Sequence, residues 1–402
     1  MERDDLKYQK LIVVFLIMVF GLTGCKSRTN QVAENNYADT AQTERKYQVF
    51  TDSKKIAEGY SKIYEEAEKT DRLDGLELKQ QIVNVLGQEG YAAVDIGNQI
   101  DMVNAEQVER FCKNAEKKQT AKILIFSVME AGGFVRYDME TQNGEIDVEV
   151  SSCVWKEGKP IADHYQKFQA HTWKYTENGY FFIEEYHPSG YDGPLGQIVF
   201  RVKPLDKTCR ELNRKYVLPI GYELNKLLIT DWDENNYKNL DFYDLFELMY
   251  RLKYGKYVPY DHNYSGAEYE IPQEEFEEVI QTYIKIDSRV LQDNAVFHTD
   301  TKTYRYRPRG LYDCEFPYEP YPEVINYEIQ NDGTIKLTIN AVWVREKLDQ
   351  AFTSELVVRP LENGKFQYVS NFVLSLPGNI EPNWYRSRLS DEEWTEIYER
   401  DR

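Results

Sequence analysis

The chain has 402 residues, with 68 Asp+Glu against 49 Lys+Arg, and a formal net charge of −19. That length supplies one large or two ordinary domains, since single cores stop growing near ~250–300 residues. The spread of 22 Gly and 14 Pro excludes a collagen-like or Gly/Pro-rich chain, and the acidic balance argues against nucleic acid as a partner, which needs a basic footprint. Aromatic residues reach 14%, with 32 Tyr among them.

At the N-terminus Arg3, Lys7 and Lys10 stand beside Glu2, Asp4 and Asp5, and an unbroken apolar run extends from Leu11 to Phe20. The stretch ends Leu22-Thr23-Gly24-Cys25. A charged region, an apolar region and small residues in that order describe a secretory leader. The run from Leu11 to Leu22 is shorter than the roughly 20 residues that a membrane-spanning helix needs. Leu22-Thr23-Gly24-Cys25 resembles the bacterial lipobox, in which the Cys thiol is diacylglycerylated and a signal peptidase cuts just before it. The resemblance implies a signal peptide over 1–24, lipid attachment at Cys25, and a chain anchored to the extracytoplasmic face of the cell membrane. Two acyl chains anchor stably, because each buried methylene contributes ~0.8 kcal/mol and one chain alone is marginal. The alternative is an uncleaved anchor with an incidental Cys. Residues 25–45, rich in Asn, Thr, Gln, Ala and Ser, read as a flexible tether.

The body begins near residue 46 with helices. Ile56, Tyr60, Ile63, Tyr64 and Ala67 recur at helical spacing on one face. Asp74 and Glu77 suggest a capping box opening a second helix, with Leu78, Ile82, Val85 and Leu86 inward and Gly87 and Gly90 stopping it. A short strand at 91–96 and a helix at about 105–117, with Val108, Phe111, Cys112 and Ala115 on one side, come next. Ile123–Phe126 reads as a strand buried on both faces. After Gly132-Gly133 the period becomes two. Segments 134–140, 145–156, 160–169, 172–177, 180–186 and 197–203 alternate, separated by turns such as Asn143-Gly144 and Glu157-Gly158, and predict antiparallel hairpins.

Helices at about 206–216 and 241–252 come next, and a turn-rich stretch at 255–272 marks a boundary. Beyond it come an acidic helix at 273–286, a Tyr/Pro/Arg-rich loop at 302–322, and a meander over 323–330, 335–344, 351–359 and 366–376. Residues 377–402 read as an acidic tail or docked short helix. The fold class is therefore α+β, in two modules over 46–260 and 271–376 with helices packed on antiparallel sheets. One helix against a curved meander is a fold analogy to cystatin-like or NTF2-like modules.

Three stretches carry a second resemblance: Pro204 to Leu212, Tyr304 to Cys314 and Val357 to Gly364. Together they are similar to a lipoprotein family of Firmicutes of unknown function, over most of 46–385. It implies an address and no activity, so Cys25 alone takes a role from it.

Chemical motifs are sparse. With Cys25 lipidated, Cys112, Cys153, Cys209 and Cys314 leave two bridges open in three connectivities, although Cys112 sits on an apolar stripe like an ordinary buried thiol. The five histidines, His164, His171, His187, His262 and His298, form neither HExxH nor an HxH pair, and CxxC, GxSxG, P-loop and GxGxxG patterns do not occur. Asp231, Asp233 and Asn235 match the first ligands of a calcium loop, but position 12 is Phe242 where a bidentate Glu belongs. The competing reading is an acidic loop, with Asp241 opening the next helix.

Tyr304-Arg305-Tyr306-Arg307-Pro308-Arg309 is the basic-aromatic cluster. On a strand its tyrosines share one face and Arg305 and Arg307 the other. The arginine forks suit a carboxylate or phosphate of a wall polymer, or pairing with Glu274, Glu275, Glu277 and Glu278 of the acidic helix. Trp173, Tyr175, Tyr180, Trp232 and Tyr237 are candidate sugar platforms, or half-buried sheet positions. Glu184 and Glu185, adjacent on a strand, point to opposite faces and cannot form a facing catalytic pair.

These readings point to a non-catalytic, membrane-anchored binding or envelope-interaction protein. It needs no cofactor, and its partners are the membrane through Cys25 and a cell-wall polymer or another envelope protein. Candidate ligand contacts are Tyr304, Arg305, Tyr306, Arg307, Arg309 and Trp232. A wall-glycan or polysaccharide binder using exposed Tyr and Trp stays open, as does a hydrolase with a site assembled from distant residues.

Overall fold

The computed structural model describes residues 34–191, 193, 196–237, 239–260, 266–314 and 318–398. The leader, Cys25 and His262 lie outside the described residues. The described chain is α+β, as its alternating periods predict, and divides between Pro204 and Leu205 into two compact units. This division falls well before the turn-rich stretch 255–272. The reason is packing: Cys209, Tyr216, Leu245 and Phe246 enter the same core as Phe276, Ile280, Leu337 and Leu356, so 205–260 belongs to the C-terminal unit.

The first unit opens with α1 (Glu34–Glu58), α2 (Ser61–Lys69) and α3 (Leu76–Gln88). The segment read as a tether is thus helical from Glu34. No Gly or Pro interrupts 34–58. A helix already nucleated by packed turns at Val49, Ser53 and Ala57 propagates upstream one residue at a time with little resistance. The face read as a single helix from Ile56 to Ala67 is two. Tyr60 leaves helical geometry at φ −119° and ψ 20°, and its buried hydroxyl donates to the Gly132 carbonyl at 2.9 Å. Trp155 Nε1 donates to the same carbonyl at 3.1 Å, and the Trp155 ring stacks on Tyr64 at 4.1 Å. Gly75, rather than Asp74, holds the N-cap position of α3, and no side chain caps it, so the expected capping box does not form.

The remaining elements of this unit are β1 (Ala92–Asp95), α4 (Ala105–Glu116), β2 (Ala121–Val128), β3 (Phe134–Gln142), β4 (Glu145–Lys156), β5 (Lys159–Tyr175), β6 (Tyr180–Glu185) and β7 (Gln197–Arg201). They form one seven-stranded sheet in sequence order. β1 pairs parallel with β2 and every later neighbour is antiparallel. The two-residue turns arise from positive φ at Asn143 and Gly144 (56° and 89°) and at Glu157 and Gly158 (51° and 70°), the geometry that suits the twist of hairpin strands. The two strands expected at 160–169 and 172–177 are one, β5, whose register shifts between Ala170 and Thr172. Helix α4 packs Val108, Phe111, Cys112 and Ala115 with Ile125, Val135, Phe181 and Phe200. Residues of α1 to α3 bury Phe126, Phe134 and Cys153. Gly133 lies where a Cβ would come within 2.8 Å of the Cys153 carbonyl oxygen, so a larger residue would push β4 away.

The second unit contains α5 (Lys207–Leu212), β8 (Trp232–Asp233), α6 (Phe242–Tyr254), β9 (Tyr269–Pro272), α7 (Gln273–Tyr283), α8 (Ser288–Asn294), β10 (Phe297–His298), β11 (Thr303–Tyr306), β12 (Tyr321–Ile329), β13 (Ile335–Trp343), β14 (Leu348–Pro360), β15 (Phe366–Val373) and α9 (Asp391–Tyr398). Aspartates cap three of these helices, with Asp287 accepting from Arg289 N at the start of α8. Asp206 accepts from Cys209 N, and Asp241 accepts from the backbone of Tyr243 and Asp244. The expected meander is β12 to β15, but its sheet runs β12-β13-β14-β15-β8. Because β8 comes from upstream of the expected boundary, a helix-plus-meander module confined to 271–376 does not describe this unit. A second sheet, β10-β11-β9, carries the basic-aromatic segment. A large share of the aromatic load is interior: Tyr60, Tyr180, Tyr216, Tyr222, Tyr304, Tyr306 and Tyr368 are all fully buried.

Candidate functional site

The strand geometry predicted for the basic-aromatic segment is present. In β11 Tyr304 and Tyr306 point inward and are fully buried, while Arg305 is part-exposed. Register explains it: Tyr304 pairs with Ile271 and Tyr306 with Tyr269 of β9, so a period of two puts the tyrosines under Phe246 and Phe276 and the arginines outside.

The acids that meet this segment are not those of the acidic helix as a group. Arg305 Nη2 and Arg307 Nη1 each donate to Asp391 Oδ1 at 2.6 Å. Arg307 Nε donates to Glu268 at 2.7 Å, and its guanidinium lies 3.8 Å from the centre of the Trp394 ring, a cation–π contact. From the acidic helix α7, Glu277 turns inward and accepts from Tyr304 Oη at 2.8 Å, Gln273 at 2.9 Å, Gln292 at 3.1 Å and Ser288 Oγ at 2.5 Å. Burial opposes its charge, yet the bonds from Ser288, Tyr304, Gln292 and Gln273 hold its carboxyl below the ordinary range. The sign comes from linkage: a depressed folded pKa stabilises the fold above the usual Glu value of 4.5, and that contribution disappears as pH falls through the folded value. Urea midpoints measured between pH 7 and pH 3 should therefore drop less steeply for Glu277→Gln than for wild type. Parallel pH curves would remove Glu277 from the acid limb.

Arg309 enters the interior instead. Its Nε and Nη2 clasp the Asp244 carboxylate at 2.7–3.0 Å, and its Nη1 donates to the carbonyls of Asp313 and Arg386. Arg388 also reaches Asp244, by Nε at 2.7 Å, and contacts Glu247 by Nη2. Tyr385 Oη donates to Asp244 at 2.9 Å and Tyr306 Oη to Glu247 at 2.6 Å. Burial works against charge on Arg388, but Glu247, Asp244 and Asp241 more than offset it and raise its pKa well above the arginine norm. Burial and Asp244 raise Asp241, against the pull of Arg388. Two carboxylates and two guanidiniums thus satisfy one another, and the hydrogen bonds of Asp244 are all committed. The arrangement ties α6, the loop after β11 and residues 385–388 together; it is a strut, with neither carboxylate aimed at an approaching group.

Two of the three candidate calcium ligands, Asp231 and Asp233, each have a carboxylate oxygen engaged by a backbone N–H. Asp231 Oδ1 accepts from Val373 N at 2.7 Å and Asp233 Oδ1 from Asn235 N at 2.7 Å. Asp233 and Asn236 form a backbone bridge, and Glu234 pairs with Arg359. Without a carboxylate at position 12, the segment becomes β8 and closes the sheet instead of wrapping an ion. Among the described residues, no group of three or more His, Cys, Asp or Glu is placed to hold a metal. Trp232 is 3% exposed, donates Nε1 to the Leu227 carbonyl at 2.9 Å and stacks near Tyr237, so it is a core residue. Of the other aromatic candidates, Tyr180 and Tyr237 are buried, and Trp173 and Tyr175 are half-buried. Glu184 bonds Thr172 and Glu185 bonds Gln166, as opposite strand faces require.

Cys112, Cys153, Cys209 and Cys314 are unbridged, so neither of the two open disulfides forms. Burial pushes the Cys112 thiol up and that of Cys153 up to about 12, which makes both poor nucleophiles. What the pattern of motifs missed is the part played by residues 384–398: Trp384 is 2% exposed against Trp343 and Tyr222, and Arg388, Asp391 and Trp394 complete the site. Two signals were available. Two tryptophans do not suit a solvated tail, and Ser390 and Glu393 stand at capping-box spacing; Ser390 N donates to Glu393 Oε2 at 2.8 Å and Glu393 N to Ser390 Oγ at 3.2 Å.

No curated protein and no solved structure matches the chain. A family model does, over residues 46–388, a span that includes Asp244, Glu247, Arg305, Arg307, Arg309 and Arg388 and stops short of α9. The chain therefore belongs to the family of unknown function DUF6070.

Proposed function

We propose that this chain is a lipid-anchored protein of the outer face of a bacterial cell membrane, non-catalytic and acting in binding or envelope interaction. The observation that carries the reading is the leader, in which a charged start, the apolar run Leu11–Phe20 and Leu22-Thr23-Gly24-Cys25 fall in register. Two features support it. Helix α1 starts at Glu34, nine residues past Cys25, and its Arg45 pairs with Glu149 of the sheet at 2.9 Å. The helical segment between them is a stiff spacer that would hold the body off the lipid surface, at 1.5 Å per residue. The charged groups gathered around Asp244 are spent on one another, which suits a scaffold better than acid–base chemistry. Among the described residues no helix is long and apolar enough to cross a membrane.

Metabolic labelling with an alkyne fatty acid tests the anchor. Wild type should be labelled and recovered with membranes, and Cys25→Ala should lose the label. A label that persists in Cys25→Ala refutes attachment at that residue.

A further inference from the structure

The contact between α9 and β11 has the form of an occupied anion site. Arg305 on the outer face of β11 and Arg307 just past its end both donate to one oxygen, Asp391 Oδ1, at 2.6 Å. Two guanidiniums converging on one oxygen is how arginine forks hold an oxyanion. Here that oxygen is supplied by the first residue of a terminal helix whose side chain is 66% exposed.

The helix that supplies it is held by a short set of contacts. Trp394 is the buried residue of α9, lying under Arg307, and Tyr398 packs near Gly266 and Gly310. Its N-terminal cap is internal, made between Ser390 and Glu393, so undocking α9 breaks no cap to the body. The chain just before it is firmly fixed by Trp384 and Arg388, and Leu389 N donates to Asp313. A release of α9 would therefore hinge after residue 389.

We propose that α9 is an intramolecular cover and that Asp391 stands in for a phosphate oxygen, so that release of α9 opens the Arg305–Arg307 pair to a phosphate group of an envelope polymer. A carboxylate from outside would only repeat what Asp391 supplies at the high effective concentration of a tethered group. A terminal phosphate carries about −1.5 to −2 charges and a third oxygen, and so has the means to displace it. This deepens the reading of the chain as an envelope binding protein, and its readout is independent of the lipid label.

The test is calorimetric titration of the full chain, purified in detergent, with inorganic tripolyphosphate. A site that is mostly covered binds more weakly by the fraction open. Asp391→Ala/Trp394→Ala should therefore bind at least about tenfold more tightly than wild type. Adding Arg305→Gln/Arg307→Gln should erase the gain. Asp391→Ala alone, a surface change that keeps Trp394 docked, should show a smaller gain of the same sign. Variants that keep the wild-type far-UV circular dichroism but gain no affinity overturn the proposal, and so does a gain that survives the arginine substitutions. Loss of the fatty-acid label without loss of this binding would remove the anchor and leave the site; the reverse result would remove the site and leave the anchor.

Discussion

Asp244→Ala is expected to destabilise the second unit by about 3–5 kcal/mol, the cost of leaving buried charge without its partner. The carboxylate meets Arg309 and Arg388 at 2.7–3.0 Å, and the Asp244 and Arg309 side chains are 1% and 3% exposed. Removing it leaves Arg309 without a carboxylate and Arg388 with only Glu247 and Asp241, and neither guanidinium can neutralise, since arginine keeps its proton at any ordinary pH. Surface pairs in the same region are a useful contrast. Arg305 and Arg307 with Asp391 are part-exposed, and such pairs contribute only about 0.2–1 kcal/mol each. Urea unfolding should show a lower midpoint for Asp244→Ala with an unchanged slope, and only a small shift for Asp391→Ala. A loss below about 1 kcal/mol at Asp244 would mean that the strut is open to water and does not hold residues 385–388 in place.

Trp232→Ala should cost about 3–5 kcal/mol, the range for truncating a large buried aromatic side chain. Its ring is 3% exposed, its Nε1 is bonded to Leu227, and its strand holds the sheet edge through Asn371 and Ser370. Trp232→Phe keeps most of the volume but leaves the Leu227 carbonyl without its donor, so it should fall between wild type and Ala. A ligand platform behaves in the opposite way. If Trp232 faced solvent to stack on a sugar, Trp232→Ala would leave the urea midpoint within about 0.5 kcal/mol of wild type and change binding alone.

The elements whose period is strongest are the ones legible in the sequence. The strand expected at 145–156 is β4 to the residue, and α4 buries the four side chains assigned to its inner face, because alternation and helical spacing translate directly into buried faces. Long-range choices were not legible. The missing carboxylate at position 12 weighs against a cation loop, but nothing local in Asp231–Asn236 marks a two-residue edge strand. What decides is Ser370 and Asn371, far along the chain, offering an open sheet edge. The helix within the segment read as a tether was hidden for a related reason: composition describes residues 34–45 alone, whereas their helix is nucleated by the packing of residues 49–57. At the candidate site, the pleat that separates Tyr304 and Tyr306 from Arg305 and Arg307 is a local property and was readable. Which acids meet those arginines is a tertiary one, set by the return of residues 384–398 across β11.

The aromatic load that stood out in the composition has a mechanical explanation. Tyrosine brings a large apolar ring to a core and a hydroxyl that reaches a buried acceptor. Tyr60 does so at Gly132, Tyr368 at Tyr216, Tyr304 at Glu277 and Tyr306 at Glu247. In an acidic chain, the hydroxyls of Tyr304 and Tyr306 are donors that stabilise inward-facing carboxylates without adding positive charge.

Mass spectrometry of the N-terminal peptide of the protein recovered from membranes tests the central claim most directly. The account predicts a peptide that begins at Cys25 and carries the mass of a diacylglyceryl group on its thiol. A peptide that begins at Met1, or an unmodified Cys25 in the membrane-associated protein, would contradict it.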